Sequence, residues 1–156
     1  MRVWRVCLER HATSAFSGEG SLKYAGRWHR AGVRVVYASS SLALAALEYF
    51  VRLPALESPN PLVAIPSEIP ASVKIIYRAA RNLPPGWNAF PPPPTVQRIG
   101  MDWIRSRPSP VLGVPSVLIP GEWNFLLNPL HPHFPRIRIG KPVPFALDPR
   151  MWKRTR

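Results

Sequence analysis

Three side chains in one stretch of the chain have types and spacings that suit an anionic ligand. Arg27 follows a glycine in the segment G-R-W-H-R-A-G, and its planar guanidinium can donate paired hydrogen bonds to a phosphate. Tyr37 closes an apolar run and offers a flat ring and a hydroxyl. Glu48 lies inside an apolar segment, where a carboxylate can stabilise a developing cation or orient a nucleophile.

Each of these residues also has an ordinary structural explanation. Arg27 is one of 21 lysines and arginines, and Tyr37 could simply belong to the core. Glu48 precedes Arg52 by four residues, which is the favourable order for an ion pair on a helix surface. The residue types and spacing alone leave both explanations open.

The elements around these residues can be predicted from local patterns. Val33–Ala38 is rich in β-branched residues and predicts a strand. The serines at 39–41 supply an N-cap, and Leu42–Leu53 consists of strong helix formers that stop before Pro54. Because this helix has almost no polar face, we expect it to be buried on most sides.

The remaining sequence predicts short strands separated by long ordered loops. Loops are expected over Leu8–Gly26, Leu83–Thr95 and Gly121–Phe134, and a second helix over Thr95–Arg105. The 21 prolines interrupt the strands too often for a doubly wound parallel sheet, so the predicted fold class is α+β, with small twisted mixed or antiparallel sheets and a few helices. The predicted strands are Arg2–Cys7, Pro61–Ile69, Val73–Tyr77, Val111–Ile119, Arg136–Ile139 and Val143–Leu147, of which the last two are expected to form a closing pair. Pro115 interrupts the strand over Val111–Ile119, which puts Ser116 at a bulge or an edge.

Length and composition indicate a globular protein. The 156 residues, 46% hydrophobic and 19% charged, suit one domain over residues 1–156. Cys7 is the one cysteine, so no internal disulfide can form, and we expect it to be a small core residue. The N-terminus has no signal-peptide core and no apolar run reaches about 20 residues, so we expect a cytoplasmic protein without a membrane segment.

The net charge of +13 favours an anionic partner, which could be a nucleic acid, a phosphate-bearing ligand or an acidic protein. Most arginines are scattered. The one dense basic run, R-M-W-K-R-T-R at residues 150–156, is either a nucleic-acid-binding arm or a solvated chain end. A basic nucleic-acid-binding module without catalysis is therefore one hypothesis for the chain.

Other reactive residues give weaker indications. His131 and His133 resemble a metal-binding pair, but no third ligand has a suitable spacing, and we expect no metal. His29 is expected to face solvent. The sequence contains no G-x-S-x-G, P-loop or G-x-G-x-x-G motif, which leaves hydrolase and kinase hypotheses without a supporting motif.

The segment G-R-W-H-R-A-G-V-R-V-V-Y-A-S-S-S-L-A-L-A-A-L-E resembles the signature of the RES domain family, which is named for an arginine, a glutamate and a serine. Later segments agree in the same order: L-P-P-G-W, V-P-S-V-L-I-P-G-E-W-N-F-L-L-N-P-L-H-P-H-F, R-I-R-I-G and F-A-L-D-P-R. The resemblance covers nearly the whole chain. It departs from the family pattern at Ala25, His29 and His133.

The resemblance implies a fold similar to ADP-ribosyltransferases and the function of a toxin in a bacterial toxin–antitoxin pair. Such a toxin would degrade NAD by cleaving the nicotinamide–ribose bond, through hydrolysis or phosphorolysis, or would transfer ADP-ribose to a protein. NAD would be a substrate, with phosphate as the co-substrate of phosphorolysis, and no cofactor is expected. The implied partner is a Xre-type antitoxin that covers the site and contacts DNA itself, in a complex where the toxin could form a homodimer.

The resemblance also implies roles for individual residues. Arg27 would hold the pyrophosphate of NAD, and Tyr37 would pack on the nicotinamide or its ribose. Glu48 would stabilise the oxocarbenium-like ribose, and Ser116 would position the nicotinamide or a ribose hydroxyl. The expected catalytic residues are Glu48, Arg27, Tyr37 and Ser116, and the expected NAD-binding residues are Arg27, Trp28, Tyr37, Ser39 and Ser116.

Overall fold

The described part of the chain forms a single mixed sheet of eight strands and three α-helices. The computed structural model describes residues 1–53 and 61–151. The helices are α1 (Glu19–Lys23), α2 (Leu42–Phe50) and α3 (Pro94–Ser106). The strands are β1 (Arg2–Leu8), β2 (Val36–Ser39), β3 (Leu62–Glu68), β4 (Ile75–Tyr77), β5 (Val111–Pro115), β6 (Trp123–Leu127), β7 (Arg138–Ile139) and β8 (Val143–Phe145).

The order of strands in the sheet is β4-β5-β6-β2-β1-β3-β7, and β8 also pairs with β3. All of these pairings are antiparallel except β4 with β5. The two halves of the sheet meet at β1 and β2, whose register is a single pair, Trp4 with Ser39. Beside this junction, Arg5 Nη1 donates to the Tyr37 carbonyl oxygen at 2.8 Å. The Arg5 side chain thus supplies a hydrogen bond to β2 at the point where the backbones of β1 and β2 stop pairing.

Apolar side chains pack on both faces of the sheet. Leu126 and Leu127 are neighbours on β6 but belong to different clusters, as the alternation of side chains along a strand requires. The Leu127 cluster includes Val3, Ile65 and Phe125. The Leu126 cluster joins the sheet to α3 and includes Trp28, Val96, Trp103 and Ile104.

Helix α2 begins where the three serines predicted it. The Ser41 hydroxyl accepts a hydrogen bond from the Leu44 N–H at 3.1 Å, which is the N-cap arrangement. The helix ends at Phe50, earlier than the predicted Leu53, and Pro54 lies outside the described residues. Only Leu44 and Ala45 in α2 are buried, so the prediction of burial on most sides was wrong. One face of α2 packs on β1 and β3, and the rest remains at least partly accessible.

The predicted loop over Gly121–Phe134 was also wrong, because it contains β6, which lies between β5 and β2. The preceding strand was predicted to reach Ile119, whereas β5 ends at Pro115, and Ser116 lies in the following turn. The predicted closing pair does not form. Both β7 and β8 pair with β3, because the edge of β3 offers backbone partners to each of them.

The loop predicted over Leu8–Gly26 contains a 3₁₀ turn at Glu9–His11 as well as α1. The second predicted helix is confirmed as α3, which begins one residue earlier, with Pro94 in its first turn, and ends one residue later. The first strand is also confirmed, as β1.

Gly100 lets the backbone of α3 touch the loop that carries Trp28. A Cβ added at Gly100 would overlap the Trp28 carbonyl oxygen, so no side chain fits at this position. Val96 and Ile104 lie on the same buried side of the helix. This contact fixes the distance between α3 and the segment that carries Arg27.

We expect Gly100→Ala to destabilise the protein. Inserting a methyl group into a packed core costs about 1–3 kcal/mol, and here the obstacle is a backbone carbonyl that cannot rotate away. Gly20→Ala is the matched control, because a Cβ there meets nothing within 4 Å and alanine favours a helix. Thermal unfolding should show a lower Tm for Gly100→Ala and no loss for Gly20→Ala. Equal Tm values for the two variants would contradict this packing.

Candidate active site

The loop at residues 26–29 approaches the sheet so closely that it requires a glycine. Gly26 and His29 form a β-bridge, in which the Gly26 N–H donates to the His29 carbonyl oxygen at 3.0 Å. A Cβ at Gly26 would lie 2.7 Å from His29 Cε1 and 2.8 Å from the Tyr37 hydroxyl oxygen. The glycine predicted to flank Arg27 is therefore required by packing, because it lets the loop close over Tyr37.

The partly buried Tyr37 and the buried His29 form a hydrogen-bonded pair. The Tyr37 hydroxyl lies 2.8 Å from His29 Nδ1 and accepts a hydrogen bond from the Trp28 N–H at 3.3 Å. His29 Nε2 lies 3.0 Å from the Tyr24 carbonyl oxygen, which can only accept. Neutral His29 therefore carries its proton on Nε2, and Tyr37 donates to Nδ1. His29 is 3% exposed, so the expectation that it faces solvent was wrong.

Burial changes the pKa values of both members of this pair. It raises the pKa of the Tyr37 hydroxyl far above its usual range, so this group keeps its proton. It lowers the pKa of His29, an effect opposed by the hydrogen bond to Tyr24 and assisted by the charge of Arg52. At neutral pH the pair is therefore uncharged, and its hydrogen bonds to Trp28 and Tyr24 hold the loop in place.

Arg27 ties the loop to the proline-rich segment that precedes α3. Its Nη1 donates to the carbonyl oxygens of Trp87 and Ala89, each at 2.8 Å. Burial lowers the pKa of Arg27, while the charge of Glu48 opposes that effect, and the guanidinium remains a cation. Among the described residues, its other nitrogens make no hydrogen bond, which leaves donors for a ligand.

Glu48 is held by residues from β6 and from the turn after β5. Its Oε1 accepts hydrogen bonds from Asn124 Nδ2 at 2.5 Å and from Ser116 Oγ at 3.4 Å. Its Oε2 lies 3.7 Å from Arg52, so the pair expected from helix spacing also forms, although loosely. The Ser39 hydroxyl donates to Asn124 Oδ1 at 2.7 Å. Ser39 thereby sets the orientation of the Asn124 amide, and that amide fixes the carboxylate.

Ser116 is fixed at the start of its turn. Its hydroxyl oxygen accepts hydrogen bonds from the backbone N–H groups of Leu118 and Ile119, at 3.1 and 3.2 Å, while the hydroxyl donates to Glu48. Its side chain is therefore oriented before any ligand arrives.

Glu122, on the same β5–β6 connection, accepts hydrogen bonds from the hydroxyls of Ser40 at 2.8 Å and Ser41 at 3.3 Å. This contact attaches the start of α2 to that connection. Sequence reasoning missed both Glu122 and Asn124, because they lay in a segment predicted as a loop. The run W-N-F-L-L between Gly121 and Pro129 is typical of a strand and could have revealed them.

The structure thus brings four predicted site residues into one region: Arg27, Tyr37, Glu48 and Ser116. Arg52 lies beside Glu48, and its guanidinium carbon is 5.8 Å from the centre of the Tyr37 ring, while Ser116 donates to Glu48 and the charge of Glu48 acts on Arg27. The other two predicted residues, Trp28 and Ser39, are 3% and 4% exposed and support the loop and the Asn124 amide from inside. Their contact with NAD stays a prediction.

The remaining reactive side chains, those of His131, His133 and Cys7, lie outside this region and make contacts that stabilise the fold. His131 Nδ1 accepts a hydrogen bond from the His133 backbone N–H at 3.0 Å, which stabilises a turn. Within residues 1–53 and 61–151, no three histidines, cysteines or carboxylates are grouped to hold a metal. Cys7 is buried, and burial raises the pKa of its thiol, so it is a poor nucleophile.

None of the helices in the described part of the chain is long and apolar enough to cross a membrane. Residues 152–156 of the basic C-terminal run lie outside the described residues.

The family model of the RES domain matches residues 2–148 of this chain. The chain belongs to the RES domain family. It is 35% identical over 152 residues to Toxin Res of Yersinia enterocolitica, an alignment that covers 97% of this chain and 99% of the relative. It is 38% identical over 152 residues to the Prs ADP-ribosylating toxin of Sphingobium sp., with 95% of this chain and 94% of the relative covered.

A solved structure shares the fold of this RES domain. The match is to the M. tuberculosis MbcT–MbcA toxin–antitoxin complex, with a TM-score of 0.74, 12% sequence identity, and coverage of 97% of this chain and 86% of the matched chain. At this identity the likeness concerns the fold alone. It confirms the predicted α+β class with a twisted mixed sheet.

The stability of the RES domain should depend on pH through His29. Because the folded state lowers the pKa of His29 below the unfolded value of about 6.5, the unfolded chain binds a proton more readily below that pH. This contribution to stability is complete above about pH 6.5 and is lost as the pH falls towards the folded pKa. His29→Asn should remove that part of the pH dependence. Urea unfolding of both proteins at pH 5 to 8 would test this, and parallel curves would contradict it.

Proposed function

We propose that this RES-domain protein is the toxin of a bacterial toxin–antitoxin pair and that it acts on NAD by cleaving the nicotinamide–ribose bond. The observation that carries the proposal is the fixed carboxylate of Glu48, which shares its region with the Tyr37 ring and the Arg27 guanidinium. The names of the relatives, Toxin Res and Prs ADP-ribosylating toxin, support the same class of function.

Glu48 would act on the charge that appears when the bond breaks. Nicotinamide leaves as a neutral molecule with the bonding electron pair, and the ribose becomes an oxocarbenium-like cation. A carboxylate already oriented by Asn124 and Ser116 stabilises that cation without reorganising during the reaction. Water, which releases a proton to solvent as it adds, or a phosphate oxygen then bonds to the ribose carbon and completes the cleavage.

Arg27 and Tyr37 would hold the substrate in place for this step. One Arg27 nitrogen is occupied by the Trp87 and Ala89 carbonyl oxygens, and the remaining donors would bind the pyrophosphate. The Tyr37 hydroxyl is occupied by His29 and Trp28, so Tyr37 would present its ring, and not a proton, to the nicotinamide or its ribose. Ser116 would contact the nicotinamide or a ribose hydroxyl.

The acceptor of the ADP-ribose distinguishes this proposal from a second candidate. The 38% identical relative is named a Prs ADP-ribosylating toxin, which favours transfer to a protein as the alternative. With NAD labelled in its adenine, hydrolysis or phosphorolysis leaves all label in small molecules, whereas transfer leaves it on a protein. Among the described residues, no observation favours the nucleic-acid-binding hypothesis over either of these.

The likeness to a toxin solved in a toxin–antitoxin complex supports an antitoxin as the partner. We propose that this partner is of the Xre type, that DNA is contacted only through it, and that the toxin functions as one domain in the cytoplasm, where NAD is available. A homodimer within the complex is part of the same proposal.

Glu48→Gln should reduce nicotinamide release from NAD by at least about 100-fold, because the amide keeps the shape of the side chain but loses its negative charge. Purified protein, free of any antitoxin, would be incubated with NAD, with and without phosphate, while nicotinamide and ADP-ribose products are followed. Glu68→Gln is the matched control, since Glu68 pairs with Arg2 on the surface. Full activity in Glu48→Gln would contradict the proposed role.

Asn124→Ala should lower kcat by about 100-fold and change KM little, because Asn124 positions the carboxylate without being proposed to bind NAD. Steady-state kinetics of nicotinamide release would separate the two constants. Asn82→Ala, at an exposed asparagine in a 3₁₀ turn, is the control and should match the wild type. A rise in KM with unchanged kcat would instead indicate that Asn124 binds the substrate.

A further inference from the structure

An open cleft with three arginines lies between α3 and the chain that follows His29. Its lining residues are Arg30, Arg98, Met101, Asp102 and Arg105, and its volume is about 240 Å³. It is distinct from the region that contains Glu48, none of whose residues lines it. No part of the proposed NAD reaction uses these side chains.

The arginines of this cleft have no anionic partner in the described part of the chain. Arg98 and Arg105 are exposed on α3, Arg30 is exposed on the loop, and none of them lies within 4.0 Å of a carboxylate oxygen there. Among the described residues, Asp102 is the one carboxylate that lines the cleft. The cleft therefore has an excess of two positive charges that no described side chain neutralises.

The two walls of the cleft are held at a fixed distance. The backbone of α3 at Gly100 rests against the Trp28 carbonyl oxygen, two residues before Arg30. The Trp28 N–H in turn donates to the Tyr37 hydroxyl. The backbones that carry the three arginines are therefore held together by these contacts, and the same loop carries Arg27.

We propose that this cleft binds an acidic helix of a protein partner, namely the antitoxin, an assignment that rests on the proposed function. The volume is below the roughly 300–1,000 Å³ of small-molecule sites and suits a few side chains of a larger ligand. The guanidinium groups match carboxylates, which they can bind through two hydrogen bonds. Asp102 would repel a continuous run of phosphates, whereas a helix with separated carboxylates can place a neutral or lysine side chain beside it.

The spacing of the arginines specifies the pattern that the partner should carry. Arg98 and Arg105 are seven residues apart on a helix, which places them about 10 Å apart on one side of α3. A partner helix lying along α3 would match them with two acidic residues that are also seven positions apart. Because Arg30 follows His29 directly, a partner docked here lies beside the loop of the proposed active site.

The test uses a labelled, alanine-rich helical peptide with two glutamates seven positions apart, and fluorescence anisotropy with the full chain at low salt. A second peptide has the same composition but places its glutamates five positions apart, on different sides of the helix. We expect the first peptide to bind at least ten times more tightly than the second. Arg98→Glu with Arg105→Glu should weaken its binding at least tenfold.

The matched control is Lys74→Glu with Arg78→Glu, which changes the net charge equally at the exposed ends of β4. This variant should bind the first peptide as the wild type does. No binding by the wild type, or equal weakening in the two double variants, would overturn the proposal. Tighter, cleft-dependent binding of tripolyphosphate or of a DNA duplex would also overturn it, and would assign the cleft to phosphate groups.

Nicotinamide release separates this inference from the proposed function. The Arg98→Glu, Arg105→Glu variant should cleave NAD at the wild-type rate, and circular dichroism would verify its fold. Loss of NAD cleavage in that folded variant would place the arginines in the active site and overturn the inference. If the wild type binds the peptide but does not cleave NAD, the proposed function fails while the acidic-peptide site stands.

Discussion

The hydroxyl of Tyr37 joins the sheet to the loop on which the proposed site depends. It donates to His29 and accepts from the Trp28 N–H, and both contacts are possible because Gly26 leaves room for them. An unpaired hydroxyl or imidazole inside the protein would cost free energy, so the folded chain keeps the three groups together. The position of Arg27 follows from this arrangement, since it lies between Gly26 and Trp28.

The carboxylate of Glu48 is held by groups that lie apart in the sequence. Helix α2 presents it, Asn124 and Ser116 direct its Oε1, and Arg52 stays near its Oε2. These groups come from three segments of the chain: residues 48–52, the turn after β5, and β6. A charged group held this way keeps its orientation without a bound ligand, which is the kind of preorganisation that electrostatic catalysis requires.

Local patterns singled out Arg27, Tyr37 and Glu48 as candidates, because glycine flanking, a β-branched run and an apolar helix all occur in one stretch, while their roles toward NAD come from the family resemblance and stay predictions. Ser116 came only from the family resemblance, since the contact with Glu48 spans 68 residues. Asn124 was missed for a related reason: β6 is short, follows a turn that contains Pro120, and becomes a central strand only by pairing with β2 and β5. The residue pattern of β6 does not indicate which strands it pairs with.

The burial of His29 could not be predicted from its polar neighbours, because it depends on the Tyr37 hydroxyl eight residues later. In the same way, β7 and β8 are adjacent in sequence, yet each pairs with the free edge of β3. Sequence adjacency predicted a hairpin there, and competition between backbone partners decided otherwise.

The contact of Glu122 with Ser40 and Ser41 constrains the number of residues that can separate the helix cap from the carboxylate. The β5–β6 connection anchors the start of α2 through Glu122, and β6 meets Glu48 two turns later through Asn124. Each residue turns a helix by about 100°, so one inserted or deleted residue between Ser41 and Glu48 would direct the carboxylate away from Asn124. Related chains can vary in the identity of these helical residues far more readily than in their number.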